Sequence, residues 1–344
     1  MLGLIGLLGA LSAGLMLDSL MAKSPESADN DDRPPEEEDD EERPEGDLLD
    51  HAAADADDAG PDEVARTEAA RDAAAQHEIT GTKGNDKLTG GGGADSLHGR
   101  GGDDQLVSRG GADTLDGGRG QDHLYGGAGA DSLLGRAGDD VMQGEAGADV
   151  MEGGAGNDLL AGHFGADTLT GGSGADSMLG GSGNDSLSDD RGDDWLQGGY
   201  GDDVLSGGAG SDTLDGDFGA DTLIGHEAGQ SDTSVDFLNG GTGDDHLVIG
   251  AGDYASGNQG ADTFTLGDWL AEGDSARIMD FDSSQDRIEI LYDPATHPDP
   301  VLSLQTPEGS EDVEVYLDGL PLAVVAGGAG LNLSDIVLTP AAAA

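Results

Sequence analysis

The chain has 344 residues, with Asp+Glu 72 against Lys+Arg 14 and a formal net charge of -58. Such a polyanion repels itself in any compact state unless cations neutralise it, which excludes nucleic acid and anionic membrane surfaces as partners. Cysteine is absent, so disulfides, thiolate metal sites and cysteine nucleophiles are excluded, and 63 glycines with 3% aromatic residues exclude an ordinary bulky core.

In chain order, residues 1–22 form a hydrophobic segment. Met1 to Met21 is apolar apart from Asp18 and two serines, close to the length of a membrane span. It has no Lys/Arg n-region and only a poor small-x-small match near Leu20-Met21-Ala22, so it reads as an anchor or an atypical export signal. Membrane association is expected only through residues 1–21. Residues 23–78 are an acidic, low-complexity linker containing an unbroken acidic block from Glu36 to Glu42. A run of that kind cannot bury enough apolar surface to fold and is expected to be disordered, with one short helix opening at Pro61.

From residue 79 to 265 the chain is repetitive, and from 81 to 224 it keeps a period of nine without insertion. Aspartate recurs at Asp86, Asp95, Asp104, Asp113, Asp122, Asp131, Asp140, Asp149, Asp158, Asp167, Asp176, Asp185, Asp194, Asp203, Asp212 and Asp221. A glycine stands two residues before each, and leucine or methionine two residues after, from Leu88 to Leu223. In the irregular stretch 225–265 the spacing breaks, and Asp236, Asp245 and Asp262 continue the column. Fixed glycines mark turns, and the polar-apolar-polar triplets that follow the aspartates, such as Thr114-Leu115-Asp116, mark very short strands with one inward side chain. Turn plus strand, repeated, winds an all-β solenoid with two nonapeptides to a coil, which stacks aspartates such as Asp86 and Asp104 above each other. Over residues 81–224 that makes a rod of about 8 coils, roughly 40 Å long at about 4.8 Å per coil. Carboxylates at that spacing repel by roughly 3.5 kcal/mol per pair at an effective dielectric of 20. Hard divalent cations between coils convert the repulsion to attraction, and Ca2+ suits the many oxygen ligands better than Mg2+. Zinc is disfavoured because the histidines lack ligand spacing; His98, His123 and His163 fall in different columns and read as surface residues.

The unit Gly126-Gly127-Ala128-Gly129-Ala130-Asp131-Ser132-Leu133-Leu134 resembles the hemolysin-type (RTX) calcium-binding nonapeptide repeat. The resemblance implies a parallel β-roll (β-helix solenoid) that binds multiple Ca2+ ions through turn carbonyls and the nineteen aspartates named above. It also implies a secreted or surface-exposed protein, exported by a type I machinery and folding where calcium is abundant. Departures fall at the first glycine of the unit in Ser108 and Asp189. At the second they fall in Thr82, Arg100, Arg109, Arg136, Glu145, His163, Asp190 and Asp217. The turn Asp189-Asp190-Arg191 is expected to be the weakest in the regular array. Trp195 and Tyr200, close to that turn, read as ordinary exposed residues.

Residues 266–344 lose the nine-step pattern and gain alternating strands such as Val313-Glu314-Val315-Tyr316-Leu317, which predicts a C-terminal β cap. Ile278-Met279-Asp280-Phe281-Asp282 with Asp286-Arg287-Ile288 resembles the region following calcium repeats in the family, where an uncleaved type I secretion signal lies. No His-Glu-x-x-His and no Gly-x-Ser-x-Gly occurs, so an enzyme is not expected. The alternatives are a calcium-stabilised adhesin or surface-layer component, whose surface partner the residues do not name, and an accessory part of an exported enzyme.

Overall fold

The computed structural model describes residues 75–225, 234–267, 270 and 275–341. The hydrophobic segment 1–22, the acidic linker except residues 75–78, and the helix expected after Pro61 lie outside the described residues. No helix among the described residues is long and apolar enough to cross a membrane.

The described residues form an all-β fold built on a parallel solenoid. Among the described residues, two sheets of 13 and 14 strands draw strands from the chain alternately as far as Arg287–Tyr292, so each coil there contributes one strand to each sheet. Neighbours within a sheet are parallel through the repeats, where Thr114, Leu115 and Asp116 pair with Ser132, Leu133 and Leu134. Two nonapeptides therefore close one coil, as the spacing of the aspartates requires.

The strands are longer than the triplets predict. Thr114–Arg119 and Ser132–Ala137 are 6 residues each, because the strand runs on through the first three turn positions. Side chains in a strand alternate between faces, so Leu115 and Gly117 both point inward. The interior is thus a file of leucines and methionines, from Leu88 to Leu223, alternating with glycines that keep the tube narrow. Each buried Leu contributes about 1.5–3 kcal/mol.

Past Ile224 the repeat spacing changes but the ladder does not. Thr222 pairs with His246 and Thr213 with Phe237, so the strands keep their pairing across the longer spacing. In the following coil His246 pairs with Thr263 and Phe237 with Tyr254, a coil one residue shorter than the rest.

Both sheets continue without a break beyond residue 266. Thr263–Gly267 pairs in parallel with Arg287–Tyr292, and that strand with Ile336–Pro340. In the other sheet Ala276–Ile278 pairs in parallel with Leu320–Val325, after which Val313–Leu317 and Leu302–Gln305 add on antiparallel. Here the single file of leucines widens into a cluster that includes Phe264, Leu266, Ile278, Ile288, Ile290, Val315 and Leu322.

Stacked coils also align surface residues. Tyr200 stacks on Phe218 of the next coil, with ring centroids 4.8 Å and planes 6° apart, and Phe237 stacks on Tyr254 at 5.2 Å. Tyr200 is therefore half of a ladder pair, whose other half stands eighteen residues away in the sequence. Rings stacked this way cover each other's faces and turn their edges to solvent.

Candidate metal centre

All nineteen aspartates of the predicted column are buried, each no more than 3% exposed. The coil geometry sorts them into two files, one along each edge of the solenoid. Within a file the main-chain N–H of one aspartate donates to Oδ1 of the aspartate a coil further on. Asp104 donates to Asp122 at 2.7 Å, and Asp122 to Asp140 at 2.8 Å. On the opposite edge Asp95 donates to Asp113 at 2.6 Å and Asp113 to Asp131 at 2.8 Å. The files cross the insertion intact: Asp212 donates to Asp236 at 2.9 Å, Asp221 to Asp245 at 2.8 Å, and Asp245 to Asp262 at 3.0 Å.

The second carboxylate oxygen is the informative one. In every ninth residue from Asp104 through Asp203, and again in Asp221 and Asp245, Oδ2 is buried and has no hydrogen-bond partner among the described residues. Buried polar atoms are nearly always paired, and an unpaired carboxylate oxygen away from water is strongly unfavourable. At the ends of the files this oxygen is satisfied within the chain, Asp253 Oδ2 accepting from Gly250 N–H and Asp286 Oδ2 from Asp282 N–H at 2.7 Å. Asp86 Oδ2 accepts from Thr82 N–H and Oγ1, and Asp95 Oδ2 accepts from Gly91 N–H at 2.5 Å.

Each glycine column of the unit answers to a neighbour of these carboxylates. A Cβ on Gly99 would lie 2.3 Å from Asp104 Oδ2 and 2.5 Å from the carbonyl of Gly117, so a carboxylate and the next coil's carbonyl converge over the first glycine. The third glycine passes so near the preceding coil that a Cβ on Gly129, at φ +134°, would stand 1.5 Å from the Gly111 carbonyl. The second position is left-handed but roomier in practice. Arg100, Arg109, Arg136, Glu145, His163 and Asp217 occupy it at φ between 68° and 82°. The departures at these six positions therefore preserve the turn conformation, at a cost of about 1–2 kcal/mol each.

Electrostatics follow the burial. Asp140 and Asp221 are pushed up to about 7 by burial, against the opposing N–H bonds from Asp122 and Asp203, with neighbouring carboxylates adding to the rise. Burial likewise pushes Asp104, Asp131, Asp158, Asp167, Asp185, Asp203 and Asp262 up to about 6. Asp95 goes the other way: burial raises it, but hydrogen bonds from Gly91 and His77 outweigh that and hold it below the usual range.

The turn Asp189-Asp190-Arg191 interrupts the regular pairing. The strand Ser186–Ser188 is only 3 residues long, and beyond it only isolated bridges from Arg191 to Ser173 and Ala209 remain. Asp189, standing in the first-glycine column, turns its carboxylate inward and is 6% exposed. Carboxylate oxygens of Asp176, Asp189 and Asp194 lie within 4.8 Å of one another, and burial with the charges of Asp194 and Asp176 pushes Asp189 up to about 9.

Two aspartates join the files unforeseen. Asp236 N–H donates to Asp253 Oδ1, and Asp262 N–H to Asp286 Oδ1, both at 3.0 Å. Asp253 escapes the nine-step count because its turn, Gly250-Ala251-Gly252, is one residue short. Asp286 follows a long insertion, yet carries the unit's signature of an inward apolar residue two positions on, Ile288. Of the histidines, His123 is exposed as expected, whereas His98 is half-buried against Ser96 Oγ at 3.1 Å and His163 is half-buried at its left-handed turn position.

No curated protein matches the chain. The family model of the RTX calcium-binding nonapeptide repeat matches residues 78–106, 107–142, 125–160, 134–169, 152–187, 189–223 and 232–254. Those segments carry both files of buried aspartates as far as Asp253, and the chain belongs to the RTX calcium-binding nonapeptide repeat family.

Proposed function

We propose that this chain is an extracellular or surface-exposed protein whose repeats fold on binding several Ca2+ ions, with the aspartates from Asp86 to Asp262 as side-chain ligands. The supporting observation is the file of buried Oδ2 atoms with no partner, several of which, such as those of Asp104, Asp140 and Asp167, stand beside a carbonyl of the next coil. Hard oxygens from two coils, converging where the glycine leaves room, suit an ion that accepts about 6 to 8 oxygen ligands in flexible geometry. Calcium, when bound, supplies the positive charge that the stacked carboxylates lack. Asp253 and Asp286 continue the aspartate files by the same main-chain contact, while their Oδ2 atoms accept from the N–H groups of Gly250 and Asp282.

The rest of the mechanism belongs to the chain. Oδ1 of each aspartate is committed to the N–H of the preceding coil, which leaves Oδ2 oriented toward the gap. Each carboxylate therefore joins two coils, so filling one gap orders half of the next, and binding is cooperative along the rod. Without neutralisation the same carboxylates repel and keep the chain unfolded, a form suited to export through a narrow type I machinery. Residues 266–344 serve both as the end of the solenoid and as the region bearing the export signal. The repeat architecture supports a structural rather than a catalytic role.

Calorimetric calcium titration of the Asp149→Ala/Asp167→Ala double variant tests the ligand assignment. These neighbours share one edge, Asp149 N–H donating to Asp167 Oδ1 at 2.8 Å. The variant is expected to bind fewer ions with lower cooperativity; an isotherm identical to that of the wild type would overturn the assignment.

A further inference from the structure

The interrupted turn is built differently from the regular gaps at Gly153 and Gly180. Over Gly153 and Gly180, the position of an absent Cβ is flanked by one carboxylate oxygen and by the carbonyl of the next coil, Gly171 O at 2.8 Å and Gly198 O at 2.7 Å. Over Gly171 the nearest atom is instead Asp189 Oδ2, at 1.8 Å, with Asp176 Oδ2 at 2.7 Å. A carboxyl group has taken the place of a main-chain ligand. It is held for the purpose: Asp189 Oδ1 accepts from the N–H groups of Asp190 at 2.6 Å and Arg191 at 3.2 Å, while Oδ2 is buried and unpartnered. Among the described residues this is the one place where three carboxylates converge within 4.8 Å.

Resting on the calcium reading above, we propose that Asp189 makes the Asp176–Asp189–Asp194 gap a three-carboxylate cation site, the tightest in the roll and the first to fill. Its ligand is a calcium-sized divalent cation, or a trivalent ion of similar radius. The expectation of a weak turn is thereby reversed for metal while it holds for backbone pairing. Affinity in oxygen-ligand sites rises with the number of charged ligands, and a third carboxylate adds one full charge to a gap that elsewhere has two. Filling this gap early also bridges the interruption, so the two halves of the regular array fold as one.

Trp195, next to Asp194, provides a local reporter. The test is a terbium(III) titration of the full chain carrying Trp269→Phe, so that indole-sensitised emission arises at Trp195 alone. Emission is expected within the first equivalent of terbium. Asp189→Gly restores the repeat's own glycine and so preserves folding, checked by circular dichroism at saturating calcium. In that variant emission should shift to later equivalents, with affinity at this gap weakened about tenfold or more. Asp189→Asn, neutral but of the same shape, should behave likewise. An unchanged emission midpoint in Asp189→Gly would overturn the proposal while leaving the calcium reading intact. Failure of the wild-type chain to bind either terbium or calcium would overturn the calcium reading beneath it.

Discussion

Replacing Gly147 by Ala isolates the geometric demand of the repeat. Gly147 has φ +144°, and its Cβ would stand 1.6 Å from the Gly129 carbonyl of the coil below. That oxygen is main chain and would have to retreat by more than about 1 Å to reach ordinary contact. A backbone conformation open essentially to glycine alone costs about 1–3 kcal/mol for alanine, and the retreat weakens adjoining ladder bonds worth about 1 kcal/mol each. The sum is about 4 kcal/mol, which for a domain of this size lowers the thermal midpoint by roughly 10 °C. Glu145→Gly, two residues earlier in the same turn, is the control. Glu145 already sits at φ 77°, so glycine there relieves a left-handed side chain and changes stability by no more than about 1 kcal/mol. Thermal melts followed by circular dichroism at saturating calcium give both numbers. The reasoning fails if Gly147→Ala melts within about 3 °C of the wild type, or if Glu145→Gly falls by as much as Gly147→Ala.

Leu133→Ala empties one position of the inner file, where Leu133 is 0% exposed, and is expected to cost about 2–5 kcal/mol at saturating calcium, measurable in the same melts. The pH dependence of the metal-free chain has a definite sign. Asp140 and Asp221 rise from 3.8 to about 7 on folding, so the folded state holds protons that the unfolded state releases, and stability present below about pH 4 is lost as pH rises through 6 to 7. In chelator, far-ultraviolet circular dichroism should therefore show more β structure at about pH 5 than at about pH 7.5; an equal or smaller signal at the lower pH would contradict the burial of the carboxylates.

The aspartate and leucine columns were legible in the sequence because each follows from one repeated contact: Leu115 and its equivalents face inward, and Asp104 and its equivalents meet the N–H of the next coil. The strand lengths were less legible, since Gly118 reads as a turn residue although its backbone pairs as strand. Asp253 was hidden by a deletion of one residue in its turn and Asp286 by an insertion. Spacing along the chain breaks at such points, whereas spacing between coils does not. Asp189 illustrates a different limit. A substitution at a glycine column reads as damage to the turn, and only the packing of coils reveals that its carboxylate enters the space where a carbonyl would otherwise stand.

Circular dichroism of residues 79–344 during a calcium titration, after chelation and with magnesium as the control, tests metal-coupled folding most directly. A coil-to-β transition driven by calcium and not by magnesium is the predicted result. β structure that persists unchanged in chelator at neutral pH would contradict it, because the buried carboxylates would then be tolerated without a cation.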